Sequence, residues 1–259
     1  MKRLIAVATA LGVLVTAGAA YAALNTYTVS LPFTTKKAGT ASKPVPIGFT
    51  QNFTATGTAP NRTAVLLDVK TKIYGLKVDG KDFPTCTIAK IAAAHTDAKC
   101  PKGAAVAKGY ITSSVGSRNN FAAAGSACDP VLDVWNAGQG KLAFFFVETP
   151  THVCLGGALS TGSVAPYPAT YRTQGKYLVQ DTPIPPYIGF PLPGLAGSLE
   201  TEHLVWKPAT ATVKGKKVTS VTTVACTGKK RPYSETFKAT LPTTGQTETT
   251  TVSKTAACS

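Results

Sequence analysis

The chain has 259 residues, a formal net charge of +15 and six cysteines. Hydrophobic residues at 44% exclude a disordered chain. An even number of cysteines fits a disulfide framework in an oxidising compartment better than the thiol chemistry of a cytosolic enzyme.

Met1 to Ala22 reads as an export signal. Lys2 and Arg3 form its charged start, Leu4 to Val15 its apolar run, and Ala20-Tyr21-Ala22 a small-x-small cleavage site. The apolar run is too short for a stable anchor, and no later stretch approaches the roughly 20 apolar residues that a membrane helix needs. Cleavage after Ala22 would leave residues 23–259, expected to fold outside the cytoplasm as a single large β-sandwich domain. A division into two sandwiches, if there is one, falls at 114–127, a polar, glycine-bearing stretch.

Along the mature chain, Asn25 to Leu31 alternates with Tyr27, Val29 and Leu31 on one face, and Ile47 to Phe53 resumes the pattern through Ile47, Phe49 and Phe53. Val65, Leu67, Val69, Thr71 and Ile73 form the longest period-2 run, and Asp79-Gly80 marks a turn after it. Phe83 to Tyr110 holds the one convincing helix, near residues 86–96: Ile88, Ile91 and Ala92 share a face, and Thr85 or Thr87 can cap its start. Cys86 opens that segment and Cys100 closes it, so a bridge between them would close a loop of about fifteen residues and contribute roughly 3 kcal/mol.

Further strands are expected at Val106 to Ser114, Val131 to Trp135 and Leu142 to Val147, the last two joined through Asn136-Ala137-Gly138-Gln139-Gly140. The run from Leu142 to Val147 is apolar on both faces, which predicts a strand covered on both sides. Asp181 to Gly194 is dense in proline, unsuited to a helix or a central strand, and is read as an ordered crossover. Its Tyr187, Ile188 and Phe190 would be tucked against the sandwich or exposed as a binding lip. Strands near Leu199 to Trp206, Ala209 to Lys214, Val218 to Ala225, Thr236 to Ala239 and Thr247 to Val252 complete a jelly-roll-like or Ig-like antiparallel all-β architecture. Six cysteines allow fifteen pairings, and sequential ones are favoured: Cys86 with Cys100, Cys128 with Cys154, Cys226 with Cys258.

The export signal, GFTQNF, the FPTC helix, KCPKGAAVAKG and the closing segment from Cys226 to Cys258 together resemble secreted actinobacterial β-sandwich proteins without known activity. In that group a P-x-C segment, a short helix and a CPKG-x-x-V-x-x-G turn recur as one block, matched here by Pro84, Cys86, Cys100, Pro101, Lys102, Gly103, Val106 and Gly109. Ala104, Ala105 and Ala107 depart from the Ser and Gly expected there. The resemblance implies a fold and a location but no catalytic residue.

Little in the sequence points to chemistry. Leu241 to Gly245 spells LPTTG, a sortase pentapeptide, yet the residues after it are polar and form neither a membrane-holding segment nor a basic tail, so a hairpin turn is expected. His95, His152 and His203 lack partners at ligand spacing apart from Asp97 near His95. A disulfide at Cys154 would remove the thiolate beside His152, and no metal or cofactor is expected. On a strand, Glu200 and Glu202 would share a face with Trp206, their carboxylates roughly 6 to 7 Å apart, near the spacing of paired acids in glycoside hydrolysis. Their alternative setting is a solvated outer face. The basic residues are spread over Lys36-Lys37, Lys99, Lys102, Lys214 to Lys217 and Lys229 to Arg231, without the interleaved aromatic residues of a nucleic-acid binder. The leading expectation is a secreted, non-catalytic binding or structural protein of the extracellular space or cell envelope, held by its charge to anionic wall polymers. The alternative is a carbohydrate-active enzyme or carbohydrate-binding module using Glu200, Glu202 and Trp206.

Overall fold

Alternating apolar and polar residues become strands along almost the whole chain. The computed structural model describes residues 23–157 and 164–259, and the export signal expected over 1–22 lies outside them. The first part carries β1 (Asn25–Ser30), β2 (Val45–Pro46), β3 (Phe49–Gly57), β4 (Val65–Tyr74), β5 (Leu76–Val78), the helix α1 (Ile88–Ala94), β6 (Ala105–Ser117), β7 (Ser126–Ala127), β8 (Val131–Gly138) and β9 (Lys141–Val147). The second part carries β10 (Tyr167–Gln174), β11 (Tyr177–Pro183), a helical turn α2 (Pro186–Gly189), β12 (Leu195–Trp206), β13 (Thr210–Val213), β14 (Lys216–Thr219), β15 (Val221–Thr223), β16 (Lys230–Thr240) and β17 (Thr247–Ala257).

Among the described residues, one twelve-stranded sheet dominates, in the order β1-β3-β12-β6-β8-β9-β10-β11-β4-β16-β17 with β7 paired to β6. Its pairings are antiparallel. The protein is thus all-β and disulfide-stapled, as expected, with one short helix inside the expected span. β6 runs across the start of 114–127, and strands from either side of that stretch are neighbours in the sheet. The two halves of the sheet face each other like the layers of a sandwich, and its end strands are drawn together nearly into a barrel. Among the described residues, no backbone ladder joins β1 to β17. Instead Glu248 on β17 accepts hydrogen bonds from the backbone N–H groups of Leu24 and Asn25 at 2.7 and 2.8 Å. Tyr27 of β1 stacks on Phe237 of β16 with ring centroids 4.1 Å apart, and the Leu31 N–H donates to Tyr233 Oη at 3.4 Å.

β9 lies between β8 and β10 and is covered on both sides, as its composition requires. Leu142, Phe144 and Phe146 face the interior, while Ala143 and Phe145 pack outward against Cys86, Ile91, Ala104 and Trp135. The helical clip is therefore the cover for the outer face of β9. Thr87 caps α1 by accepting from the Lys90 N–H at 3.2 Å, and His95 ends it in a left-handed conformation. Asp97, just beyond the helix end, accepts from the Trp135 indole N–H at 3.1 Å.

The disulfides are sequential: Cys86–Cys100, Cys128–Cys154 and Cys226–Cys258. Replacing Cys86 and Cys100 together by Ser should cost roughly 3 kcal/mol in denaturant unfolding, with a red shift of Trp135 emission as the clip loosens over β9. An unchanged midpoint would show that the clip contributes no stability.

Three expectations need correction. β10 and β11 were not expected from the sequence, because Pro168 and Pro183 interrupt their alternation. The proline-rich crossover does enter a helical turn: Pro186 occupies the first turn, where its missing N–H costs nothing. Arg231, counted with the basic loops, is 0% exposed. It points inward from β16, donates to Thr223 Oγ1 at 2.9 Å and lies over the Phe33 ring at 4.6 Å.

A candidate ligand cavity inside the sheet

The inward face of β12 positions the central acid of the interior. Opposite β6 the register shifts between Leu199 and Thr201: Leu199 pairs with Ser113 and Glu202 with Ile111, so three positions on β12 match two on β6. An extra residue in one strand inverts the alternation beyond it. Glu200 is that residue and faces solvent, whereas Glu202, Leu204 and Trp206 turn inward. The structure therefore does not bring Glu200 and Glu202 to a common face. Nor does it leave Glu202 and Trp206 on a solvated outer surface.

Glu202 lines an internal cavity of about 110 Å³ together with Val69, Ile111, Leu132, Phe144 and Phe146. An engineered apolar cavity of about 150 Å³ accommodates benzene, which sets the scale of what this space can hold. Mostly apolar walls with a few placed polar groups are the usual chemistry of a small-molecule site. No Lys, Arg or His is among the described residues that line it.

One mouth of the cavity is covered by the proline-rich crossover. Ile188 and Phe190 pack against the core, while Tyr187, 42% exposed, lines the opening and donates from Oη to the Pro166 carbonyl at 3.3 Å. The segment is thus both tucked in and part of the lip. It is pinned by the Ile184 N–H to the Leu67 carbonyl, 2.9 Å, and by Arg118 over the Phe190 ring at 4.9 Å. Gly189 is required beneath β4, since a Cβ there would meet Val65 Cγ1 at 2.6 Å.

A polar layer crosses the interior below the cavity. The Trp206 Nε1–H donates to Gln51 Oε1 at 3.1 Å, Gln51 Nε2 donates to Thr71 Oγ1 at 3.0 Å, and Thr71 Oγ1 donates to Glu235 Oε1 at 3.3 Å. The chain joins β12 and β3 to β4 and β16 on the facing wall. Gln180, which donates to Thr182 Oγ1 at 3.2 Å, lines both this cavity and a smaller one of about 30 Å³ beyond the layer.

Burial controls the electrostatics. Glu202 keeps some accessible surface, but that surface faces the cavity, and removal from bulk water pushes its pKa up to about 8. Glu235 is 0% exposed, and its Oε2 has no hydrogen-bond partner among the described residues. Its pKa is also pushed up to about 8, by burial first and by the charge of Glu202 second, against the hydrogen bonds of Thr71 and Gln51. Tyr167, buried beside them, is raised as well, chiefly by burial. Near neutral pH both acids are mostly protonated and act as neutral hydrogen-bond donors.

Gln51, Thr71, Gln180 and Glu235 were not singled out as site residues from the sequence. The signal for three of them was a polar residue on an otherwise apolar period-2 face: Gln51 between Phe49 and Phe53, Thr71 between Val69 and Ile73, Glu235 between Tyr233 and Phe237. On the outer surface, Tyr110 lies between the rings of His152 and His203, with centroids 5.5 and 5.2 Å away, and His203 Nδ1 meets Asn52 Oδ1 at 2.7 Å. LPTTG forms the hairpin loop between β16 and β17, closed by the Leu241 N–H to the Gln246 carbonyl at 2.9 Å.

No protein-family model matches the chain, and the curated proteins contain no significant sequence match to it.

Proposed function

We propose that the chain is an exported, non-catalytic binding protein that holds one small, mostly apolar molecule inside its nearly closed sheet. The observation that carries this reading is the internal cavity, with apolar walls, a polar floor around Glu202 and a proline-rich cover at its mouth. Three disulfides are compatible with an extracellular setting. No helix among the described residues is long and apolar enough to cross a membrane. Lys36, Lys37, Lys99, Lys102, Lys214, Lys216 and Lys217 are exposed, and their charge would hold the protein near anionic wall polymers through interactions that fade as salt rises. The carbohydrate alternative needs Glu200, Glu202 and Trp206 on one accessible face, and of these Glu200 alone is exposed.

The test is titration of the purified mature protein with benzene and hexanol, monitored by thermal stability and calorimetry. The expected result is saturable uptake of one molecule, with a rise in melting temperature. Ile111→Phe, which pushes a ring into the cavity, should abolish it. Absence of saturable uptake by the unaltered protein would contradict the reading.

A further inference from the structure

The polar floor of the cavity is left without a counter-charge. Two carboxyl groups from different strands, Glu202 on β12 and Glu235 on β16, lie close enough for one to raise the pKa of the other. Glu202 hydrogen-bonds to none of the described residues, and Glu235 Oε2 is buried without a partner among them. The groups facing them from the surrounding elements are Gln51 on β3, Thr71 on β4, Ile111 on β6, Tyr167 on β10 and Gln180 on β11, with Tyr187 at the mouth. All of these are neutral at physiological pH. Arg231, two inward positions from Glu235 along β16, is engaged with Thr223 and Phe33 and forms no ion pair with it.

Resting on the cavity reading above, we propose that the occupant is a small amphiphilic amine. Its ammonium group is seated at Glu202 with Glu235 behind it, and its apolar body lies against Val69, Ile111, Leu132 and Phe144. The cavity is smaller than a space of about 150 Å³ that holds benzene, so about four to six heavy atoms fit within its walls and the end of a longer chain reaches the mouth beside Tyr187. Burying carboxyl groups in an apolar wall is costly unless they are paired, and a cation is the partner that the described lining of the cavity lacks. A carboxylate ligand would meet two acids, and a neutral alcohol would satisfy one hydrogen bond and leave the other acid as it was.

Uptake of an ammonium favours the ionised form of Glu202, so the Glu202 carboxyl proton leaves to the buffer while the amine keeps its own. With Glu202 near pKa 8 in the empty protein, binding at about pH 7 should release close to one proton, and affinity should rise from about pH 6 to about pH 8. Above roughly pH 10 it should fall, as the alkylammonium itself deprotonates.

The experiment is calorimetric titration of the mature protein with hexylamine, hexanol and hexanoate at about pH 7, in two buffers of different ionisation enthalpy. Hexylamine is expected to bind roughly tenfold or more tighter than hexanol, and hexanoate weakest, because a charge-assisted bond outweighs a neutral one. Proton release should accompany hexylamine alone. Glu202→Gln, close in shape, should bring hexylamine down to the level of hexanol. If hexanol or hexanoate binds as tightly as hexylamine, or hexylamine releases no proton, the amine assignment is overturned while the cavity reading stands. If none of the three binds, both fall. The proton count is read on the unaltered protein, so the result does not depend on how the variant folds.

Discussion

Raising the pH from about 5 to about 9 is expected to cost the folded protein several kcal/mol, and Glu235→Gln to recover much of that loss. Glu235 ionises near 4.5 when unfolded, and near 8 in the fold because burial and the neighbouring Glu202 disfavour its charge. A raised folded pKa means that the native state holds more protons than the unfolded chain between those two values. Stability from the protonated group is therefore complete below about 4.5 and is lost as pH climbs through about 8. One pKa unit corresponds to about 1.4 kcal/mol, so Glu235 alone accounts for a loss on the order of 3 to 5 kcal/mol. Glu202 adds to the same trend, in the same direction and pH window. Glutamine stays neutral throughout and can still meet Thr71 and Gln51. The variant should match the unaltered protein within about 1 kcal/mol near pH 5 and exceed it near pH 9. Urea midpoints at the two pH values decide the matter: a parent midpoint that is flat or rises with pH would show that these acids are not buried as described.

Phe237→Ala should cost about 4 kcal/mol, in the range for deleting a buried aromatic ring. Phe237 is 0% exposed. It stacks on Tyr27 at 4.1 Å and meets the Phe53 ring edge-on at 5.1 Å, so one side chain ties β16 to β1 and β3 across the seam between the end strands β1 and β17. Aromatic pairs of this kind add roughly 0.5 to 1.5 kcal/mol each beyond the area they bury, and small rotations at the seam cannot refill the space. Amide exchange along β1 should accelerate more than along β9, which is paired on both edges. Thr236→Ala next to it removes an exposed hydroxyl contact with Thr251 and should cost less than about 1 kcal/mol. Equal losses for the two variants, measured by urea unfolding, would mean that the seam is held by something other than this stack.

Strands that face an apolar interior on one side and water on the other were readable as period-2 runs, which is why β1 and β4 fell where expected. β9 was readable for a different reason, its apolar residues on both faces. The clip was readable because helix spacing, a cap and two flanking cysteines agreed with one another. β10 and β11 were hidden because their inward residues, Tyr167, Ala169, Tyr171 and Gln180, are mixed in polarity and bounded by prolines. The site was only half legible. Glu202 and Trp206 were singled out, but a bulge at Glu200 changes which face each residue takes, and nothing in local composition announces an extra residue in a strand. Glu235 was passed over because its partner Thr71 is 164 positions away in sequence, and only the closure of the sheet brings the two together.

The most direct test of the cavity as a binding site is a crystal structure of residues 23–259 soaked with benzene. Density for one molecule between the proline-rich cover and the polar layer, against Ile111 and Phe144 and beside Glu202, is the predicted result. Density confined to the outer surface, with the interior empty or filled by the protein's own side chains at saturating benzene, would contradict it.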